Sequence, residues 1–230
     1  MKFTHRQLLV SALVGLAVTS VMPSRAALAQ NRVFIEQVGS SNTVTVTQVG
    51  GGNQVGSSTT SSKITGSNNT LTSSQTGESN TTNYTVVGSG NTISKTVAGD
   101  TNQITFTCGD GTTACSSVTS TMNITGDLNT VTSTIKGSNI ANLLNITGDS
   151  NTVTQTITTN NSSSNITILG DSNTFISSMT GSSAGGGHTL VAAITGTSNT
   201  HTVTQYGIVD TVVNIITNGN SNAVTVNTGK

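Results

Sequence analysis

The chain has 230 residues, of which only 7% are charged and 3% aromatic, with 25 Gly, a single Pro and equal numbers of acidic and basic side chains. So few large apolar residues exclude an ordinary globular core, and so little net charge excludes the polyelectrolyte kind of disorder. Thr and Val in alternation suit many short strands joined by glycine turns.

The first segment reads as a secretory leader. Lys2, His5 and Arg6 make a basic start, residues 8–18 are an apolar stretch too short to span a bilayer, and Ala27, Leu28 and Ala29 supply a small-residue cleavage site. Residues 1–29 are therefore expected to be a signal peptide removed near Ala29, and residues 30–230 a single repeat domain that is secreted to the extracellular space or cell surface. No second apolar run follows, so the mature chain is not expected to span a membrane. Residues 30–230 hold five Lys/Arg against eight Asp/Glu, which offers no basic surface to nucleic acid.

From Asn31 onward one pattern recurs at constant spacing: Asn31, Val33, Ile35, Gln37, Gly39, then Asn42, Val44, Val46, Gln48, Gly50 and Asn53. The phase continues through Asn69, Gln75, Gly77 and Asn80, and Gly/Asn pairs carry it as far as Gly219 and Asn222. Apolar residues recur at i and i+2, so each unit is a strand, and a strand too short to bury anything alone implies a stacked array. Two strands and two corners make one rung, so a rung is two successive units, as from Asn31 to Asn53. The expected fold is an all-β solenoid of stacked strand-turn-strand rungs, about eight in number and ~40 Å long at ~4.8 Å per rung. Asn, Gln and the apolar residues face inward and Thr faces water, with inward amides stacked into ladders that satisfy their own polar groups. Insertions that break the phase near 53–57, 109–114, 182–187 and 217–218 belong in turns.

Glu78, Asp100, Asp127, Asp149 and Asp171 each follow a closing Gly, and all five precede an odd-numbered strand. Strand n stacks on strand n+2, so these acids should form one column along one edge. Two accounts stay open: Asp as an ordinary turn former, or a column of repelling carboxylates that gates assembly until divalent cations or low pH relieve it. Cys108 and Cys115 flank an insertion at one corner and, in an exported chain, are expected to form a disulfide closing that loop. Lys95 falls on an inward position, where a bulge or an escaping side chain is expected because a buried unpaired ammonium is costly. His188 and His201 also fall inward, as packing residues. No nucleophile–base–acid set or ligand spacing is readable, so no catalytic residue, metal site or cofactor is expected.

The doubled pattern from Gln37 to Asn53, Q-x-G-x-x-N-x5-Q-x-G-x-x-N, resembles the curlin repeat of bacterial functional amyloid. The match is strict over residues 31–53 and looser beyond. The resemblance implies a curli-like fibre subunit that assembles with copies of itself for biofilm matrix and adhesion, with a nucleator subunit and an outer-membrane secretion machinery as partners. The alternative is a monomeric secreted solenoid whose rows of threonine form a binding face, as in ice-binding or adhesin-like proteins.

Overall fold

The structure is a computed structural model that describes residues 15–21, 30–181 and 187–229. Among these residues it is all-β and entirely parallel, wound as a β-solenoid of about eight turns. One side is a nine-stranded sheet of β1 (Gly15–Val21), β4 (Thr43–Val49), β7 (Thr70–Thr76), β9 (Thr92–Ala98), β12 (Thr119–Thr125), β14 (Ala141–Leu144), β16 (Ser163–Ile166), β18 (Thr189–Ala192) and β20 (Val212–Ile215). The other side is a twelve-stranded sheet. Its main path is β2 (Arg32–Val33), β5 (Gln54–Val55), β8 (Thr81–Ser89), β10 (Gln103–Cys108), β13 (Thr130–Ser138), β15 (Thr152–Thr158), β17 (Thr174–Gly181), β19 (Thr200–Gly207) and β21 (Ala223–Gly229). The short strands β3 (Ile35–Val38), β6 (Ser62–Thr65) and β11 (Cys115–Ser116) extend that sheet beside the main path. From Arg32 the winding alternates between the two sheets, so each strand lies on its counterpart one rung earlier.

Alternation fixes the faces. Val131, Ser133 and Ile135 of β13 are buried beside Val153, Gln155 and Ile157 of β15, while Thr130, Thr132, Thr152 and Thr154 are exposed. The same register carries Phe175 onto His201 and Met179 onto Gln205. Removing a Val, Leu or Ile side chain from water contributes roughly 1.5–3 kcal/mol. The core, a column of such residues from Val44 to Ile215, is the main stabilising term.

The corners bring backbones into contact. At Gly99, where φ is +114°, an added Cβ would lie 2.1 Å from the Gly126 carbonyl oxygen of the next rung, so only glycine fits. From Asn42 onward, the residue just before each inward Asn that follows a corner is left-handed as well, at φ 54° for Ser41, 58° for Thr101 and 57° for Leu128.

Two phase breaks differ in place from the sequence expectation. The insertion expected near 53–57 begins after β5, in the loop between β5 and β6, because Gln54 and Val55 stay in register with Thr81 and Thr82. The shift expected at 217–218 falls between β19 and β20, since Val212 pairs with Thr189 and Ala223 with Thr200. The insertion at 109–114 is a corner loop as expected, and most of the one at 182–187 lies outside the described residues. Within residues 1–29, the segment expected to be a leader, residues 15–21 form β1, parallel to β4 with Leu16 opposite Val44 and Val18 opposite Val46. The remainder of residues 1–29 lies outside the described residues, apart from that strand. No helix among the described residues is long and apolar enough to cross a membrane.

Candidate functional site

The most regular feature of the interior is a ladder of asparagines. Asn31, Asn53, Asn80, Asn102, Asn129, Asn151, Asn173, Asn199 and Asn222 stack along the twelve-stranded sheet, and each Oδ1 accepts the backbone N–H of the Asn on the next rung. From Asn53 to Asn222 that same oxygen also accepts from the next Nδ2, at 3.0–3.1 Å. Several Nδ2 groups donate onward to a corner carbonyl, as Asn80 does to Gly99 and Asn102 to Gly126. A shorter ladder of Asn42, Asn69 and Asn91 runs along the nine-stranded sheet until Val118 takes the position. Each oxygen thus satisfies a backbone N–H that would otherwise be buried and unpaired, which sets the register rung by rung.

The glutamines follow a different pattern. Gln48 donates to Gln75 at 2.8 Å, and Gln75 donates to Thr82 and to the carbonyls of Gln54 and Asn80. Gln37, at the first rung, leaves its Nε2 without a partner. Gly39, Gly50 and Gly77 are all corner glycines at positive φ.

Glu78, Asp100, Asp127, Asp149 and Asp171 form one exposed column at the corners leading from the nine-stranded sheet into the twelve-stranded one. The Oδ1 of each Asp accepts the backbone N–H of the corner residue on the preceding rung, at 2.6–2.8 Å. Asn220 does the same for Thr197. This is turn chemistry repeated rung after rung, with the charge facing water. The opposite corners use Ser40, Ser67 and Ser89, and Asn160 bonded to Ser138.

Cys108 and Cys115 are joined by a disulfide across the corner loop, with their Cα atoms 5.6 Å apart and both residues fully buried. Asp110 in that loop pairs with Lys136 at 2.6 Å. The Lys136 ammonium and the loop N–H groups of Thr112 and Thr113 hold the Asp110 carboxyl well below the usual carboxylate range.

Lys95 neither bulges nor escapes. It stays in register within β9, fully buried, with Nζ 4.1 Å from the centre of the Phe106 ring and donating to Ser120 Oγ at 2.6 Å. Burial lowers its pKa to about 7. The ring face and the hydroxyl replace part of the lost water, which is why the strand tolerates it. The chain of bonds continues from Ser120 to Asn142, from Asn142 to Gln155 and from Gln155 to Ser164. His201 is buried against Thr217 Oγ1 at 2.7 Å, and burial depresses its pKa. His188 lies between Thr211 and the carbonyl of Thr180. No group of three or more His, Cys, Asp or Glu among the described residues is placed to hold a metal ion. A shallow groove of about 320 Å³ over β12, β14 and β16 is lined by Thr119, Thr121, Leu143, Asn165 and their neighbours, none of them titratable.

No family model matches the chain, and no curated protein or solved structure matches it.

The two ends of the stack differ from its middle. Asn222 donates to Asn199 and is itself exposed, and Val224 and Val226 of β21 are only partly covered. Half of the exposed large apolar side chains among the described residues crowd the last rung: Tyr206, Ile208, Val209, Val212 and Ile216, the last 75% exposed. The open ends are therefore the candidate site. Sequence reasoning missed this apolar patch, whose signal is the Tyr206-to-Ile216 stretch, where the outward Thr row gives way to Ile and Val.

Proposed function

We propose that this chain is the structural subunit of an extracellular, curli-like fibre, exported through its leader and assembled end to end with copies of itself. The observation that carries the reading is the pair of open stack ends. One presents the free edges of β20 and β21 with a partly covered Val224 and Val226; the other begins the same Asn and Val columns at Asn31 and Asn42, with β2 and β3 ending one sheet and β1 covering β4 at the end of the other, a cover that goes with the leader. Parallel strands with unpaired N–H and C=O groups recruit further strands, and contacts between unlike ends do not close, so they grow a filament. Low charge and the lack of Pro after residue 23 remove the usual brakes on such growth. A nucleator and a secretion machinery are the partners this role calls for, and biofilm matrix and adhesion its setting. The test is incubation of purified residues 30–230 at high concentration. Fibres giving ~4.7 Å and ~10 Å reflections are expected, and a stable concentrated monomer would overturn the reading.

A second reading has one observation in its favour. Thr130, Thr152, Thr174 and Thr200 form an outward column in register on the twelve-stranded sheet, the kind of hydroxyl row a monomeric binding face uses. Ile176 interrupts the neighbouring row. Thermal hysteresis by dilute monomer is the outcome that would favour it.

A further inference from the structure

The stack does not end level. At its far end β21 lies on β19 and carries the twelve-stranded sheet half a rung beyond β20. At its near end β2 and β3 carry the same sheet half a rung beyond β4, once β1 is set aside. Both ends of residues 30–229 therefore have a step, and at both ends the same sheet projects. Two such ends stacked straight would set projection against projection and leave a slot one strand wide between β20 of one copy and β4 of the next. Turned by half a revolution about the stack axis, the projecting strand of each copy fills the recess of the other.

The cross-section permits that turn because both halves of a rung are built from the same repeat unit. Thr43, Val44 and Val46 follow Asn42 as Ala223, Val224 and Val226 follow Asn222. β4 accepts an added strand in this register: β1 lies along its outer edge from Gly15 opposite Thr43 to Val21 opposite Val49. The effect of covering an end is visible in burial. Val44 and Val46 of β4 are fully buried, whereas the corresponding Val224 and Val226 of the uncovered β21 are not. The ladders match in polarity too. Asn42 Oδ1 faces onward to Asn69 and there is no Asn before it, while Asn222 donates back to Asn199 and its Oδ1 is the next acceptor in line. The exposed Val212 and Ile216 flank the recess beside β20, which the Val33 and Ile35 end of the next copy would cover.

We infer that the outer edge of β4 is the docking site for β21 of a second copy of this chain, turned by a half revolution, and that β1 occupies this site until the leader is removed. The inference rests on the fibre reading and adds the joint to it. Successive subunits are related by a half turn with a rise of ~41 Å, from about eight and a half rungs at ~4.8 Å each.

The test is disulfide trapping in fibres of residues 30–230, which keep every described strand of the stack except β1. Two chains are mixed, one carrying Thr43→Cys and the other Ala223→Cys, positions that are exposed and become lateral neighbours only in the half-turn joint. Arg32→Cys with Val212→Cys reports the other half of the same joint, and Arg32→Cys with Ala223→Cys reports straight stacking. Covalent dimers are expected from the first two pairs and not from the third. Dimers from the third pair, or fibres that trap no pair, overturn the docking while leaving the fibre reading intact. Chains that remain monomeric overturn both. In the full chain, with β1 in place, trapping of Thr43→Cys by Ala223→Cys is expected to be lost, and equal trapping there overturns the role given to β1. Helical symmetry measured on unsubstituted fibres of residues 30–230 separates the two joints without any substitution: a half turn between successive subunits is expected, and no turn overturns the docking.

Discussion

Replacing Asn102 by Ala tests whether the asparagine ladder holds the rungs together. Asn102 is fully buried, and its Oδ1 accepts from the backbone N–H of Asn129 at 2.9 Å and from Asn129 Nδ2 at 3.1 Å. Its Nδ2 donates to the Gly126 carbonyl at 2.8 Å and to Asn80 Oδ1 at 3.0 Å. Truncation keeps the backbone N–H of Asn102 on Asn80, and Asn129 Nδ2 still reaches Gly148. What it orphans is the Asn129 N–H and the Gly126 carbonyl. Each buried unsatisfied group costs about 1–3 kcal/mol, and Gly126 is only half-buried, so the expected loss is about 3 kcal/mol. Asn222→Ala is the control, since that Asn is exposed and supports no rung beyond it, so its loss should stay under about 1 kcal/mol. Guanidinium unfolding of dilute residues 30–230, followed by far-ultraviolet circular dichroism, gives both values. Variants that fall within about 1 kcal/mol of each other would mean that the ladder does not hold the rungs and that truncation orphans nothing of consequence.

Three further outcomes are expected. Folding lowers the Lys95 pKa from 10.5 to about 7, so the unfolded chain binds the proton more strongly between these values. The Lys95 contribution to stability should therefore be flat below pH 7 and rise from pH 7 toward pH 10.5 by at most about 1.4 kcal/mol per unit, and Lys95→Met should abolish the rise above pH 7 in a pH series of denaturant melts and stabilise the chain at neutral pH. Gly99→Ala places a Cβ 2.1 Å from a neighbouring backbone oxygen and should prevent a native melt, whereas Gly90→Ala meets nothing within 4 Å and should cost only about 1 kcal/mol for its positive φ. Replacing Cys108 and Cys115 together by Ser opens the short loop they close and should lower stability by about 2.5 kcal/mol on chain-entropy grounds, read as a shift of the denaturation midpoint.

The solenoid was legible because its signal is periodic and local. An inward Asn after each corner glycine, apolar residues two apart and Thr between them determine strand, face and rung without knowledge of any distant contact. The acid column followed from the same counting, and the pairing of Cys108 with Cys115 from their places on either side of one insertion. Lys95 was not legible because what makes its burial tolerable lies across the rung and on the next one: Phe106 is in the opposite sheet and Ser120 is 25 residues away. Neither stands out in its own strand. The insertion after β5 was misplaced because Gly50, Gly51, Gly52 and Gly56 offer several equivalent phases, and only the pairing of Gln54 with Thr81 chooses among them. The left-handed residue before each Asn was missed as well. It is mostly Ser, Thr or Asn, but Leu128 occupies it too, so the corner backbone and not the side chain dictates that conformation.

The span of the ladder bonds has a kinetic consequence. Each Asn on the twelve-stranded sheet reaches a partner 22 to 27 residues back along the chain, at the first rung as at the last. No rung waits for a residue farther away than that, so loop-closure entropy is the same for every rung however many are added. A chain made available from its N-terminal end can therefore wind each turn as soon as roughly one more rung's worth of residues is free. Folding then proceeds at the pace of delivery, and the last rung to form is the one that bears the exposed Val212 and Ile216.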